Sequence, residues 1–218
     1  MLIIPSILTD SVEVVQSQLD RLKQETVLSR VQIDIVDSEF APEITITPID
    51  LASVDLHEFE IDIHLMTNDP INDVVECSEV KGIKTIIAQV EHMSSQKEFI
   101  DHVESYKISA GLSLDIYTPV EAIEMMSLSK IKVVQLMSNE AGTQGQSFKT
   151  ELVLPKIQHF MDIKNQNGYD FEILVDIGIN PETIILVEGA GASGVAVGSF
   201  LWKSDNLAHV VEQLGGKK

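Results

Sequence analysis

The chain has 218 residues, of which 44% are hydrophobic, and its 34 acidic and 15 basic residues give a formal charge of −19. A surface with this excess of negative charge repels nucleic acids and anionic membranes, so we expect neither as a partner. One cysteine, Cys77, leaves no partner for an intramolecular disulfide and no zinc site built from cysteines.

Targeting and domain signals are equally sparse. The apolar stretches are too short to span a bilayer. The first ten residues lack a basic segment, and Pro5 interrupts their apolar run, so they do not form a signal peptide. We therefore expect a cytoplasmic protein. No Gly/Ser tract, proline-rich segment or charge block divides the chain, and residues 1–218 are predicted to form one domain, with 215–218 as a tail.

Eight short runs rich in β-branched residues predict β-strands, because each is bounded by polar or turn residues. The runs are Leu2–Pro5, Val31–Val36, Phe59–Met66, Thr85–Val90, Ile108–Leu114, Lys132–Met137, Phe171–Asp176 and Gly194–Gly198.

Helix signals lie between these runs. Val15, Leu19 and Leu22 share one face of the first predicted helix. Helices are also predicted near Pro48–Glu58, where the pattern is weakest, and at four capping signals. These signals are Asp69-Pro70, Thr118-Pro119 with a capping box, Asn180-Pro181, and Ser204 or Asp205.

Strands that alternate with helices in this way predict parallel β/α units. Closure of eight such units gives a (β/α)₈ barrel of the TIM type, an α/β fold, and this is the predicted architecture. The alternative is an open doubly wound sheet, which usually has a glycine-rich turn after its first strand. Here the first strand runs into Pro5–Leu8 without a glycine, which favours the barrel.

Polar side chains stand at the carboxyl ends of three predicted strands, where barrels carry their active sites. Asp34, His64 and Asp176 lie in otherwise apolar runs, where an unpaired acid is costly. Each alone is explained by a core partner, as we expect for the deeper Asp62. Together they favour a shared site. Such a set suits a divalent cation, or two carboxylates that exchange protons with opposite sides of a substrate carbon.

Glycines follow the last three strands. Gly142 and Gly145 lie in the loop after the sixth, Gly178 follows the seventh, and Gly198-Ser199 closes the eighth. Barrels often hold phosphate at these loops, where backbone N–H groups point at the anion. Ordinary turns are the alternative explanation.

Several segments make the chain resemble the ribulose-phosphate 3-epimerase family, whose members are phosphate-binding (β/α)₈ barrels. The resemblance covers nearly the whole chain. Its segments are Pro5–Leu8, His64–Met66 with Asp69-Pro70, Gly145–Phe148, Val175-Asp176 with Gly178–Asn180, and Val195–Ser199.

The resemblance implies interconversion of D-ribulose 5-phosphate and D-xylulose 5-phosphate. Asp34 and Asp176 correspond to the acid/base pair that removes and returns the proton at C3 of the sugar. It also implies a small phosphorylated sugar as ligand and a homo-oligomeric assembly. The implied substrate-binding residues are Ser6, His64, Met66, Met137, Gly142, Gly145, Gln146, Gly178, Gly198 and Ser199.

The implied metal site is altered in this chain. Family ligands correspond to Gln32, Asp34, His64 and Asp176, with Gln32 in place of a histidine. A divalent ion (zinc, iron, manganese, cobalt or magnesium) is therefore expected to bind weakly or not at all, because an amide oxygen is a weaker ligand. Ile177 replaces a glycine of the phosphate loop and would be strained if that position requires a positive φ.

Three functions remain open at this point. The first is ribulose-phosphate 3-epimerase activity, and the second is epimerisation or isomerisation of another sugar phosphate. The third is a degenerate barrel that binds a phosphosugar without catalysis, as Gln32, Gln89 in place of another family histidine, and Ile177 suggest. Retention of Asp34 and Asp176 argues against it, since folding does not need buried acids. Related decarboxylases carry a lysine between two such aspartates, which this chain lacks.

Overall fold

The computed structural model describes residues 1–215 and contains a closed barrel of eight parallel strands in sequence order. All eight predicted strands are confirmed, as is the (β/α)₈ barrel, and the open-sheet alternative is wrong. The strands are β1 Leu2–Ile7, β2 Arg30–Val36, β3 Glu60–Met66, β4 Ile83–Gln89, β5 Ser109–Leu114, β6 Val133–Met137, β7 Glu172–Asp176 and β8 Gly194–Val197. Residues 216–218, most of the predicted tail, lie outside the described range.

Helices of unequal length surround the barrel. They are α1 Val12–Glu25, α2 Val74–Ser78, α3 Gln96–Ser105, α4 Met125–Leu128, α5 Thr150–Asn167, α6 Thr183–Ala190, α7 Ser199–Trp202 and α8 Leu207–Gln213. Short 3₁₀ helices span Pro48–Ser53, Pro70–Asp73 and Val120–Ala122. Within residues 1–215, no helix has the length and apolar character needed to cross a membrane.

Two predicted helix starts are only partly right. The Thr118-Pro119 segment makes a three-residue 3₁₀ turn without a side-chain cap, so the predicted capping box is wrong. Asp69 adopts a positive φ of 50° and does not cap the turn that follows it. Its carboxylate accepts from the Ser94 hydroxyl at 2.9 Å instead, because the left-handed backbone turns the side chain toward the loop after β4.

The other two starts are closer to the prediction. Asn180 accepts hydrogen bonds from the backbone N–H groups of Glu182 and Thr183, as a residue that caps α6 should. For α8 the cap is Asn206, whose side chain accepts from the N–H of His209, rather than Ser204 or Asp205. Ser204, Asp205 and Asn206 are consecutive polar residues, and the sequence alone does not show which of them caps α8.

Strand register brings the predicted site residues together. Asp34 of β2 pairs with His64 of β3, and Met137 of β6 pairs with Asp176 of β7. Ser6 of β1 pairs with Gln32 of β2, which lies two residues before Asp34. Since parallel strands end at one rim, these side chains meet inside the same mouth of the barrel.

The opposite end of the barrel is held by a buried arginine. Arg30 donates from Nε to Asp62 at 2.6 Å and from a terminal nitrogen to Glu172 at 2.6 Å. Asp62 is fully buried, and the structural partner expected for it is confirmed as Arg30. Burial raises the pKa of Asp62 even beside this guanidinium. The bridge joins β2, β3 and β7 below the site.

Candidate active site

An open pocket lies at the carboxyl ends of the strands, with a cavity volume of about 60 Å³. Most of the predicted site residues line it. They are Ser6, Asp34, Met66, Met137, Gly142, Gly145, Asp176, Gly178, Gly198 and Ser199. His64 and Gln32 lie beneath its floor, with no exposed surface.

Asp34 is surrounded by donors. The Ser6 hydroxyl donates to Oδ2 at 2.6 Å, and the Gln32 amide nitrogen donates to Oδ1 at 2.8 Å. His64 Nδ1 lies 3.1 Å from the same Oδ1. Both carboxylate oxygens of Asp34 are therefore held in place at the pocket floor.

Asp176 has a different environment. Burial, with the charge of Asp34 nearby, raises the pKa of Asp176 to about 6. Its carboxylate accepts from Gln32 at 2.8 Å and from the N–H of Ile177 at 2.6 Å. Two carboxyl groups that meet on one pocket floor can serve as an acid/base pair.

His64 links the acids to the barrel interior. Its Nε2 lies 3.2 Å from the amide nitrogen of Gln89, which can only donate. On the other side of the ring, Nδ1 faces Asp34 at 3.1 Å. The ring is fixed from both sides without reaching the pocket surface.

Two glutamine amides point into the same cluster. Gln32 Nε2 lies 2.8 Å from an oxygen of each aspartate and 3.5 Å from His64 Nδ1. Gln135 Nε2 lies 3.1 Å from His64 Nδ1 and 3.4 Å from Asp176 Oδ2. Turning either amide over would bring its oxygen against carboxylate oxygens, so the nitrogen faces the acids.

The residues beneath the pocket match a divalent-ion site only in part. Asp34, His64 and Asp176 offer ligand atoms within 4.8 Å of one another, which is a metal-type triad. The fourth predicted ligand, Gln32, presents an N–H group rather than an oxygen, and N–H groups cannot coordinate a cation. Its nitrogen also occupies the space among the three ligands. The arrangement does not fit a tightly held divalent ion.

The loops after β6 and β7 contain the strained backbone that the sequence predicted at Ile177. Ile177 has a φ of 73°, a left-handed conformation that is costly for a branched side chain. Gly178 has a φ of 69°, and a Cβ there would lie 2.9 Å from the backbone nitrogen of Phe148. A Cβ on Gly142 would lie 2.5 Å from the Cβ of Ala41. No side chain fits at either glycine, so the backbone stays accessible.

One predicted residue lies elsewhere. Gln146 does not line the pocket with the acids but borders a neighbouring one, and its amide donates to the Glu140 carbonyl at 2.7 Å and to the Thr143 hydroxyl. These contacts brace the loop after β6 from within.

Sequence reasoning missed several residues of this site. Phe200 and Trp202 line the pocket, and the Trp202 indole donates to the Ser6 carbonyl at 2.6 Å. Gln144 donates to the Leu8 carbonyl at 2.6 Å across the mouth. Gln135 precedes Met137 by two residues in a buried strand, so its inward direction was available from the alternation of side chains.

Comparison with known proteins agrees with this arrangement. Residues 2–202 match the model of the ribulose-phosphate 3 epimerase family. Ribulose-phosphate 3-epimerase of Bacillus subtilis is 30% identical over 190 residues, 86% of each chain. The Synechocystis enzyme of the same name is 30% identical over 191 residues, 86% of this chain and 82% of the relative.

Solved structures support the fold alone. A 3-hexulose-6-phosphate synthase superposes with a TM-score of 0.68 at 12% identity and covers 98% of both chains. The match over nearly the whole chain, together with the barrel and its site, shows that the chain belongs to the ribulose-phosphate 3 epimerase family and is an isomerase-type enzyme.

Proposed function

We propose that this enzyme interconverts D-ribulose 5-phosphate and D-xylulose 5-phosphate by proton transfer at C3. The observation that carries the proposal is the pair of carboxylates, Asp34 and Asp176, which converge on one pocket floor in unlike environments. The family relationship supports the same substrates.

The reaction follows from this pair. An ionised carboxylate takes the proton from C3, and the electron pair of the broken C–H bond moves onto the C2 carbonyl oxygen, which gives an enediolate. The other aspartate, carrying a proton, delivers it to the opposite face of C3 as the carbonyl re-forms. No electrons leave the substrate, and the two aspartates exchange protonation states. General acid–base catalysis of this kind contributes about 10²- to 10⁴-fold.

The raised pKa of Asp176 suggests the first roles. Asp176 begins as the acid, which leaves Asp34 to begin as the base. When Asp34 gains the proton, the negative charge it loses appears on the enediolate, so the net charge of the site does not change. In the reverse direction the roles exchange.

The remaining pocket surface suits a small phosphorylated sugar. Backbone N–H groups at Gly178, Gly198 and Ser199 are proposed to hold the phosphate, since local donors can bind an anion despite a negative molecular surface. Met66 and Met137 give the floor an apolar lining that offers no competing proton donor. A cytoplasmic location and a homo-oligomeric state stay predictions.

The experiment measures conversion of D-ribulose 5-phosphate by the full chain and by Asp34→Asn and Asp176→Asn. We expect each substitution to lower kcat by about 10²- to 10⁴-fold. Asp101→Asn, which changes an exposed carboxylate on α3, serves as the matched control and should retain turnover.

A thermal-shift series with pentose phosphates separates the alternatives. Stabilisation by D-ribulose 5-phosphate without turnover would support a non-catalytic barrel, and stabilisation by a different sugar phosphate alone would indicate another substrate.

A further inference from the structure

Three buried glutamines form a layer directly beneath the acids. Gln32, Gln89 and Gln135 lie on β2, β4 and β6 and have no exposed surface. Each amide nitrogen contacts an aspartate or the His64 ring, while each amide oxygen is buried without a hydrogen-bond partner among residues 1–215. The orientation of the amides therefore rests on what their nitrogens bind.

Gln32 is the central member of this layer. A single nitrogen, Nε2, donates one hydrogen to Asp34 at 2.8 Å and the other to Asp176 at 2.8 Å. The two carboxylates are thus joined by one neutral group. Without it, two acids at this distance in a buried site repel each other.

The position of Nε2 is where a shared cation would lie. It is close to the same three groups that form the metal-type triad, Asp34, Asp176 and His64. Metal ions need ligand oxygens and nitrogens at about 2.0–2.2 Å with no hydrogen between them. Amide and ion therefore compete for one space.

We propose that the Gln32 amide takes the place of a divalent cation, bridging Asp34 and Asp176 so that the acid/base pair is held in register without a metal. The inference rests on the proposed function for its catalytic meaning, but the bridge itself is a structural statement that can be tested alone. Gln32 is a positioning residue, because it acts through the two aspartates and does not line the pocket.

The bridge meets the chemical need of this reaction. The charge on Asp34 passes to the enediolate during proton abstraction and returns afterwards, so no new net charge has to be neutralised. What the pair requires is a fixed separation, and the two N–H bonds of one planar amide supply it.

The first experiment measures metal content. The full-length chain is stripped with a chelator, exposed separately to zinc and manganese, desalted and analysed by elemental mass spectrometry. We expect substoichiometric metal in the wild-type chain and unchanged turnover in the presence of chelator. One ion per chain held through desalting, or turnover that appears only with added metal, would overturn the proposal.

The matched variant is Gln32→His, which replaces the amide with a neutral metal ligand at the same position. We expect it to retain one zinc per chain and to become sensitive to chelator. Gln166→His adds the same imidazole on the exposed side of α5 and should retain none. Equal metal content in wild type and Gln32→His would contradict the idea that the amide excludes the ion.

Gln32→Met tests the positioning role, because it keeps the volume and removes both N–H groups. We expect kcat to fall by about 10- to 100-fold with KM nearly unchanged, since the side chain does not reach the pocket. A fall confined to KM would count against the bridge. If this variant fails to fold, Gln32→Leu, which also lacks the amide N–H groups, gives the same comparison.

The two proposals fail in different ways. Stoichiometric metal together with epimerisation would overturn the amide bridge and leave the epimerase intact. A metal-free, folded wild-type chain without epimerase activity would leave the exclusion of metal standing and refute the catalytic assignment.

Discussion

Asp34 and Asp176 are the acid/base pair of the proposed mechanism, and both are buried at the pocket floor. Asp34 accepts from the Ser6 hydroxyl, while Asp176 lies buried with a pKa raised to about 6. A carboxyl group that prefers its proton when folded costs stability whenever it is ionised.

This gives a prediction for Asp176→Asn. The pKa of Asp176 is 3.8 in the unfolded chain and about 6 in the folded one, so between these pH values the folded chain binds the proton more tightly. Stability is therefore highest below pH 4 and falls as the pH rises through 6. We expect Asp176→Asn to exceed the wild type by about 1–3 kcal/mol in the free energy of unfolding at pH 8. Urea titrations in chelator at pH 4 and pH 8 measure the difference, which should shrink at the lower pH. A gap that is the same at both values would show that Asp176 does not titrate in this range.

Ile177 is a second residue at the pocket whose conformation costs stability. Its φ of 73° costs about 1–2 kcal/mol for a non-glycine residue, and its side chain is half-buried. We expect Ile177→Gly to change the free energy of unfolding by less than about 1 kcal/mol, because relief of strain offsets lost packing.

Ile179 provides the comparison, since it is buried and two residues away. Ile179→Gly should cost about 3–5 kcal/mol. If both variants lose equal stability in chemical denaturation, Ile177 is not strained.

The site residues differ in how well the sequence alone predicts their roles. Asp34, His64 and Asp176 stand out because an acid or imidazole in an apolar strand needs a partner. The roles of Gln32 and Gln135 depend on which end of a neutral amide faces the acids, and that follows only from three-dimensional neighbours. Phe200 and Trp202 look like packing residues in the sequence, because apolar side chains at a pocket and in a core have the same pattern.

At the scale of elements, the barrel is tied together below the site by Arg30. This residue of β2 reaches Asp62 on β3 and Glu172 on β7. We expect Arg30→Met to cost about 3–5 kcal/mol, because Asp62 remains buried without its counter-charge.

Glu172→Gln is the matched change, since Glu172 is 43% exposed. It should cost less than about 1 kcal/mol. Equal losses for Arg30→Met and Glu172→Gln in urea unfolding would mean that the exposed arm of the bridge, not the buried one, stabilises the strands.

Strands were easier to predict than helix starts. A buried parallel strand leaves a continuous β-branched run, and all eight are found where such runs occur. Helix starts depend on which of several adjacent polar side chains folds back on the backbone. Asn206, rather than Ser204 or Asp205, caps α8. Thr118 makes no cap because its segment closes as a 3₁₀ turn.

At the scale of the whole molecule, eight strands alternating with helices were sufficient to predict the barrel. Closure of the barrel also leaves no strand edge exposed.

The chain carries a charge of −19, and repulsion among these like charges destabilises the compact folded state.

Salt should therefore stabilise the protein. We expect the Tm to rise by about 4–8 °C between about 20 and about 500 mM NaCl, equivalent to about 2 kcal/mol. Calorimetry in the two buffers measures the shift. A Tm that is independent of ionic strength would show that the acidic residues are already neutralised by local partners.

Isotope exchange tests most directly whether Asp34 and Asp176 exchange the C3 proton of a ketopentose phosphate. The chain is incubated with D-ribulose 5-phosphate in ²H₂O, and deuterium at C3 is followed by NMR beside Asp176→Asn. We expect deuterium at C3 of the D-xylulose 5-phosphate that forms, and neither product nor exchange at a comparable rate in the variant. Folded wild-type protein that leaves the C3 proton in place, or a variant that exchanges it equally fast, would contradict this mechanism.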